Sequence, residues 1–297
     1  MIRARLKRAL GNPAFVAYGL WARCSRRALF NRYAKFSRAA GLEEIYFVLS
    51  LDCDTIEDID VSWDVHSRLI DMGVKPVYAV PGELLEKGKM VYRRILESGG
   101  EFINHGYKQH TYFDSSEGRH RSCFFYNELP LKQIREDMIQ GDICLKETMG
   151  VEALGFRTPH FGTFQKANQL RFIHSVLQDL RYRFSTSTVP LYAFRYGPIF
   201  SAFGELELPV NGMARSPLKI LDSWGCFVAP NRNMTPRDYL NEGKAIANLF
   251  KTLGTGLLNF YVDPSHINDN DIFFKTVAHW QSVAKSVTYK ELLEGLV

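Results

Sequence analysis

Residues 45–54 have the sequence IYFVLSLDCD, an apolar run (Ile45–Leu51) that ends in two acids separated by one residue. Such a short run of aromatic and branched residues is typical of a buried strand. An acid at the end of a buried strand costs free energy unless it is solvated, paired or bound to a metal. The stretch therefore predicts a strand that presents Asp52 and Asp54 for chemistry, with helix or turn capping by one of them as the alternative.

Further along the chain, β-rich runs alternate with amphipathic helical stretches, which favours parallel strands joined by helical crossovers. About seven such units predict one barrel-like α/β domain, and residues 111–128 and 211–235 are expected to be long surface loops. The predicted strands after the first are Val74–Val80, Glu101–His105, Ala153–Phe156, Tyr182–Thr186, Glu205–Val210 and Leu257–Val262. The predicted helices include Glu83–Glu97, Leu131–Met149, Asn168–Leu180, Pro236–Leu253 and Asp271–Lys285.

Charge is concentrated at the start of the chain. Residues 1–40 carry ten Lys or Arg and no acid, so residues 41–297 sum to −5 in a chain of net charge +5. Such a basic, aromatic segment suits the surface of an anionic membrane, or one or two short helices that pack on the domain with a solvated basic face. No secretory signal is expected, because Gly11-Asn12-Pro13 interrupts the apolar stretch.

The five cysteines show no CxxC spacing, which favours a reducing compartment over a disulfide framework. No run approaches the ~20 apolar residues of a spanning helix, and no nucleic-acid-binding module is recognisable. We therefore expect a cytoplasmic protein, in peripheral contact with the inner face of the membrane at most, that does not bind nucleic acid. The sequence indicates no oligomeric state.

Two histidines follow the third predicted strand, in the segment Asn104–His110 (NHGYKQH). Five residues apart, His105 and His110 diverge on a regular helix or strand, so they converge only from a loop, which Gly106 permits. Two histidines and a carboxylate leave an open coordination position, as a catalytic zinc site needs. A structural role for the pair is the alternative.

Three later blocks also place polar groups near strand ends. In Gly155–Gly162 (GFRTPHFG) a rigid loop presents Arg157, which can clamp a carboxylate, although an ordinary surface arginine has the same sequence. Asp222–Gly225 (DSWG) sets an acid beside an aromatic platform suited to a sugar ring. Tyr261–His266 (YVDPSH) ends a strand in an acid and a histidine.

Taken in order, these five blocks resemble the motifs of the polysaccharide deacetylases, the NodB-homology group of carbohydrate esterase family four. The resemblance covers about residues 45–297, including the closing SVTYKELL of Ser286–Leu293. It implies a distorted (β/α)7-type barrel, related to the TIM barrel, over residues 41–297, with residues 1–40 as a basic helical extension. It also implies a carbohydrate substrate and metal-dependent removal of an acetyl group from an N-acetylated sugar.

The resemblance assigns roles residue by residue. Asp52 matches the catalytic base and Arg157 the residue that tethers it, while Asp222 is expected to orient a general acid, His266. The implied ligands of a divalent metal, Zn²⁺ before Co²⁺, are Asp54, His105 and His110. The implied substrate-binding residues are Tyr107, Pro159, Phe161 and Trp224, and a backbone N–H near Tyr107 or Phe161 is expected to stabilise the oxyanion.

Three departures from the family pattern keep other functions open. Cys53 separates acids that are more often adjacent, and the histidines are one residue further apart than usual, with Gln109 at the usual place. The usual histidine of the fifth block aligns with Asp263, and His266 is preferred as the acid because its ordinary pKa suits proton donation near neutrality. The alternatives are an amidase acting on a small amide or ureide, and an inactive carbohydrate-binding homologue.

Overall fold

The strand predicted at Ile45–Leu51 is present as Ile45–Asp52 in the computed structural model, which describes residues 13–228 and 234–296. Phe47, Leu49 and Leu51 belong to the main core between the sheet and the helices. Val48 belongs to a second core on the opposite face, which the curled sheet encloses. Because side chains alternate along a strand, Asp52 continues the row of Val48 at its carboxyl end.

Within the described residues, eight strands form one sheet and two form a hairpin. The bounds are β1 Ile45–Asp52, β2 Pro76–Val80, β3 Glu101–Asn104, β4 Thr111–Asp114, β5 Arg119–Ser122, β6 Gly155–Phe156, β7 Phe184–Ser185, β8 Leu206–Glu207, β9 Gly256–Val262 and β10 Lys285–Ser286. The sheet order is β9-β1-β2-β3-β6-β7-β8, with β10 beside the first half of β1. All of its pairings are parallel, so the strands end at one edge.

The helices lie mainly between successive strands. They are α1 Pro13–Cys24, α2 Arg26–Ala39, α3 Ile56–Asp71, α4 Gly82–Lys87, α5 Lys89–Glu97, α6 Leu131–Met149, α7 Ala167–Leu180, α8 Pro190–Tyr196, α9 Pro236–Leu253, α10 Pro264–Ile267, α11 Asp271–Gln281 and α12 Tyr289–Glu294. No helix of the described residues is long and apolar enough to cross a membrane.

The gap between β8 and β9 is bridged by two asparagines. The backbone N–H of Asn211 donates to the carbonyl of Asn259 at 2.8 Å, and the side-chain oxygen of Asn211 accepts the N–H of Asn259 at 2.7 Å. The sheet thus curls towards closure, and the predicted distorted (β/α)7-type barrel is confirmed.

The basic extension is helical where the structure describes it. Leu29, Phe30 and Tyr33 of α2 are buried, and the hydroxyl of Tyr33 donates to the carbonyl of Leu257 at 3.0 Å. The second helix of the extension therefore packs on the barrel, whereas α1 has no buried residue. Residues 1–12 lie outside the described residues.

Both predicted surface loops are wrong in part. Residues 111–128 contain the β4–β5 hairpin. The sequence did not predict it because RHRS of β5 lacks alternating apolar residues. An Asp114–Arg121 ion pair at 3.0 Å joins the two strands instead. Residues 211–214 and 221–223 are buried, with an antiparallel bridge between Gly212 and Ile220. A π-helical segment, Trp224–Val228, follows, and residues 229–233 lie outside the described residues.

Two predicted helices also have different bounds. The helix expected over Glu83–Glu97 is interrupted at Gly88, which separates α4 from α5. The helix expected over Asp271–Lys285 ends at Gln281, and Lys285 joins β10.

Candidate active site

A cavity of about 1590 Å³ lies at the carboxyl edge of the sheet, where the five sequence blocks meet. Residues of four blocks line it, among them Asp52, Asp54, Phe161, Asp222, Trp224 and His266. The two histidines of the remaining block are buried against Asp54. Parallel strands bring these distant segments together because all of them end at this edge.

The position of Asp54 follows from the junction between β1 and α3. The strand ends at Asp52, and Thr55 caps the helix by accepting the N–H of Asp58. In return, Oδ2 of Asp58 accepts the N–H of Asp54 at 3.0 Å and that of Thr55 at 2.9 Å. Since Thr55 is the N-cap residue, the side chain of Asp54 is left to face the two histidines.

Asp54, His105 and His110 form a cluster whose donor atoms lie within 4.8 Å of one another. Oδ1 of Asp54 lies 2.9 Å from Nε2 of His110 and 3.5 Å from Nε2 of His105. Both Asp54 Oδ1 and His110 Nε2 are buried, and apart from these contacts within the cluster neither has a hydrogen-bond partner among the described residues.

The outer nitrogens of both rings are already engaged. Nδ1 of His105 donates to the carbonyl of Arg157 at 2.8 Å, and Nδ1 of His110 donates to that of Lys108 at 3.3 Å. In the neutral rings these bonds leave the Nε2 lone pairs directed at Asp54. Two imidazoles and a carboxylate with orphaned donor atoms fit a divalent metal such as Zn²⁺, so these residues could hold one.

The Asp54 and histidine side chains shift each other's pKa. Burial raises the pKa of Asp54, but His110 and His105 outweigh it and hold that pKa well below its usual range. Burial lowers the pKa of His110, and Asp54 more than reverses this, so the His110 pKa is raised.

Two carboxylates outside the cluster shape the histidine loop. Gly106 has φ +78°, and Oδ1 of Asp137 on α6 accepts the N–H groups of Tyr107 and Lys108 at 3.1 and 2.8 Å. Glu83 of α4 accepts the N–H of Gln109 at 2.8 Å. The side chain of Gln109 is turned to the carbonyl of Thr111 at 2.6 Å, so His110 is the residue that reaches Asp54.

Asp52 forms a fully buried ion pair with Arg157, whose Nη1 contacts its Oδ1. Nη2 of Arg157 donates to the hydroxyl of Tyr289 at 3.0 Å, and that hydroxyl donates to Asn259 at 2.7 Å. Burial raises the pKa of Asp52, and the positive charge of Arg157 only partly opposes it. A carboxylate with a raised pKa, fixed in orientation, is suited to accept a proton.

His266 is paired with Asp263 rather than standing alone at the fifth block. Nδ1 of His266 lies 2.8 Å from Oδ2 of Asp263, and Ser223 donates to the same carboxylate oxygen at 3.0 Å. Burial lowers the pKa of His266, but Asp263 outweighs this and raises it.

The expectation that Asp222 orients His266 needs correction. The carboxylate at Nδ1 of His266 is that of Asp263, whereas Oδ1 of Asp222 accepts the N–H of Gly225 at 2.6 Å and shapes the following turn.

Comparison with solved structures identifies the architecture. A protein of Mycobacterium smegmatis assigned as a polysaccharide deacetylase superposes with a TM-score of 0.63, at 15% identity over 86% of this chain and 90% of that chain. The chain has the polysaccharide deacetylase fold. Puue allantoinase matches with a TM-score of 0.57, at 10% identity over 84% of this chain and 89% of the other.

No family model matches the sequence, and no curated protein matches it by sequence. A carbohydrate esterase family four pseudoenzyme of Bacillus anthracis gives a TM-score of 0.49 at 11% identity, covering 84% of this chain and 65% of that chain.

The predicted substrate-binding residues are unequally placed within this deacetylase fold. Trp224 and Phe161 line the cavity, with the Trp224 ring 5.5 Å from that of His266 and the Phe161 ring 4.5 Å from that of Tyr261. Pro159 is buried in the loop between Arg157 and Phe161.

Tyr107 lies outside the described lining of the cavity. Its hydroxyl donates to Glu86 at 3.4 Å, and its ring would meet any side chain added at Gly82. Its backbone N–H is held by Asp137 and is therefore not free for an oxyanion. Among the described residues the N–H of Phe161 has no such acceptor, so it is the remaining backbone donor of the two we expected.

Sequence reasoning missed Asp58, Glu83, Asp137 and Ser223, which position the site without facing its centre. A signal existed for Asp58, which completes a capping box with Thr55 three residues earlier. Nothing comparable marks the others, because their partners lie far away in the sequence: backbone groups for Glu83 and Asp137, and the carboxylate of Asp263 for Ser223.

Proposed function

We propose that the protein is a metal-dependent hydrolase that removes the acetyl group from an N-acetylated sugar. The observation that carries the proposal is the convergence of Asp54 Oδ1 with Nε2 of His105 and His110, two of these three atoms being buried with no hydrogen-bond partner outside the cluster. The fold neighbour assigned as a polysaccharide deacetylase supports the substrate class.

In this proposal Asp54, His105 and His110 hold the metal. A bound Zn²⁺ would supply Lewis acidity, polarising the acetamide carbonyl and easing deprotonation of water. Asp52 takes the proton from the attacking water, and Arg157 keeps that carboxylate aimed while Tyr289 fixes the guanidinium. The N–H of Phe161 is the candidate backbone donor for the oxyanion.

Departure of the amine needs a proton donor on the other side of the cavity. His266 is the candidate, because Asp263 holds its Nδ1 and keeps the ring charged to a higher pH. Phe161 and Trp224 offer aromatic faces for the sugar.

The size of the cavity favours a sugar over a small amide or ureide, because about 1590 Å³ exceeds the volume of typical small-molecule sites. Acetate release from N-acetylglucosamine oligomers, compared with hydrolysis of allantoin by the same Zn²⁺- or Co²⁺-loaded protein, separates the two substrates. Turnover of the oligomers alone supports the proposal, and turnover of allantoin alone contradicts it.

Variants of the acid and the base extend this experiment. Asp52→Asn and His266→Gln are both expected to retain metal and lose turnover. Asp52→Asn leaves the Arg157 charge buried without a counterion and is expected to destabilise the fold, so His266→Gln is the cleaner test. A metal-loaded wild-type protein inactive on both substrates and on N-acetylglucosamine 1-phosphate would favour an inactive carbohydrate-binding homologue.

A further inference from the structure

Three cationic side chains line the cavity from helices outside the five sequence blocks. Lys166 and Arg171 come from the beginning of α7, and Arg195 comes from α8. All three are exposed and line the same cavity as Asp54 and His266. We call Lys166, Arg171 and Arg195 the basic end.

The lining acids and the three cations of the basic end come from different parts of the chain, and a further lining cation, Lys219, lies three residues before Asp222. Its five lining acids are Asp52, Asp54, Asp58, Asp222 and Asp263, all of which belong to or adjoin the sequence blocks at the strand ends. Within residues 13–228 and 234–296, none of the three cations of the basic end forms an ion pair. Residues 1–12 and 229–233 contain no Asp or Glu, so their side chains supply no counterion either.

One stretch of the cavity wall connects the Asp54 cluster to the basic end. The cavity wall runs along the chain from His160, whose ring centroid is 5.0 Å from that of His110, to Lys166. Six extended residues span at most about 21 Å, and a turn in which the N–H of Thr163 donates to His160 shortens this path. Lys166 therefore lies less than about 21 Å from His160, which is next to the Asp54 cluster.

We propose that the basic end binds a phosphate group of the substrate, so that the substrate is an N-acetylated sugar phosphate rather than a neutral glycan. This inference rests on the proposed function, which supplies the N-acetylated sugar, and it adds the anionic group that the substrate carries. Two guanidinium groups and an ammonium match a phosphate, because arginine donates to phosphate oxygens in pairs and a dianion requires more than one cation. Tyr192 and Phe203 line the cavity beside these cations and provide apolar surface for what the phosphate carries.

The phosphate can come from a soluble sugar phosphate or from a lipid-linked one. Pro13 and Phe15 of α1 line the cavity, while Val16 and Leu20 of α1 are 40% and 54% exposed. Residues 1–42 contain no acid, so α1 carries an outward apolar face in a cationic segment at the cavity mouth. Such a helix suits the interface of an anionic membrane, which is why both sources are tested.

The primary test is binding without turnover. Calorimetric titration with N-acetylglucosamine 1-phosphate and with N-acetylglucosamine is compared for the wild-type protein, Arg171→Gln/Arg195→Gln, and Arg183→Gln. Arg183 is an exposed arginine just before β7, outside the described cavity lining. We expect the phosphate to tighten wild-type binding at least about tenfold, and the double variant to lose that gain.

Two results would overturn the proposal. One is equal affinity of the wild-type protein for the two sugars. The other is an affinity for N-acetylglucosamine 1-phosphate that falls no more in the double variant than in Arg183→Gln. Binding of inorganic phosphate by the wild-type protein and its loss in the double variant distinguish this result from failure of the proposed function. These two binding measurements test the phosphate site whether or not the protein releases any acetate.

The second arm separates the two sources. Acetate release from soluble N-acetylglucosamine 1-phosphate is compared with release from polyprenyl-linked N-acetylglucosamine phosphate in vesicles of equal parts phosphatidylcholine and phosphatidylglycerol. Faster turnover in vesicles, lost in Val16→Asn/Leu20→Asn, supports a lipid-linked phosphate. Faster turnover of the soluble compound, unchanged in that variant, supports a free sugar phosphate. Turnover of neutral oligomers in preference to both phosphates contradicts the proposal.

Discussion

Oδ1 of Asp54 and Nε2 of His110 lie 2.9 Å apart in a buried ion pair, and neither atom has a hydrogen-bond partner outside the Asp54, His105 and His110 cluster among the described residues. Without a metal, this contact needs a protonated His110, and a buried charged pair is costly to desolvate. A metal shared by both atoms and by His105 is the simplest compensation, and it is the centre of the proposed function.

Asp58 is predicted to be a positioning residue that joins two parts of the site. Its Oδ2 accepts the N–H of Asp54, and its Oδ1 accepts the N–H of Ser265 at 2.9 Å, next to His266. In Asp58→Asn one of these acceptors becomes an N–H₂ donor facing a backbone N–H. We expect a loss of about 1–3 kcal/mol in the free energy of unfolding and a lower kcat, measured by urea denaturation and acetate release.

The matched control for this change is Asp60→Asn, which lies on the exposed face of the same helix. If Asp58→Asn is as stable and as active as Asp60→Asn, the carboxylate of Asp58 does not hold the site together.

The fold and much of the site could be predicted because they depend on local patterns. The apolar run before Asp52, the helix start at Thr235 and the polar blocks after each strand are visible in a single sequence. The sequence also restricted His105 and His110 to a loop, and the structure places them in one around Gly106.

What escaped prediction depends on long-range contacts. Asp137 acts through backbone groups that only the folded chain brings to it. Asp263 lies only three residues before His266, and the orientation of His266 was expected from Asp222 because the sequence does not show how the chain turns between Asp263 and His266. The β4–β5 hairpin escaped because its strands are paired through charges rather than apolar alternation. The position of the Tyr107 side chain depends on the space left by Gly82, a residue 25 positions away in the sequence.

The pairing of His266 with Asp263 predicts a shift in the pH dependence of turnover. Burial lowers the pKa of His266 and Asp263 more than offsets it, so removing that charge in Asp263→Asn lowers the pKa again. A general acid works only while protonated, so the fall in kcat/KM at alkaline pH is expected at lower pH in the variant. Profiles of the wild-type protein and Asp263→Asn measure this.

Asp269→Asn is the control, because Asp269 is an exposed acid three residues beyond His266. An alkaline limb that stays in place in Asp263→Asn would remove His266 from the role of acid. If the alkaline fall in kcat/KM shifts equally in both variants, the shift comes from the change in surface charge and not from the contact between Asp263 and His266.

Glu101 offers a test of the buried electrostatics away from the site. Burial raises the pKa of Glu101 to about 6 from an ordinary value of 4.5, and its Oε1 is buried without a partner. Because the folded-state pKa is the higher one, the contribution of Glu101 to stability is fully present below 4.5 and is lost as the pH rises through about 6.

Glu101→Gln is therefore expected to raise the Tm at neutral pH and to leave it unchanged in acid. Because the side chain is only partly exposed, the expected gain in the free energy of unfolding at neutral pH is on the order of 1 kcal/mol. Glu97→Gln, an exposed glutamate at the end of α5, is the control. A variant that is less stable than the wild-type protein at neutral pH would show that the ionised carboxylate is stabilising there.

The most direct test of the account is the metal content of the protein, measured by mass spectrometry after Zn²⁺ or Co²⁺ loading and dialysis. The account predicts one metal per chain in the wild-type protein and in Gln109→Ala, and its loss in His110→Ala, because His110 reaches Asp54 while Gln109 faces Thr111. A wild-type protein that remains metal-free, or a His110→Ala variant that binds metal as the wild-type protein does, would contradict it.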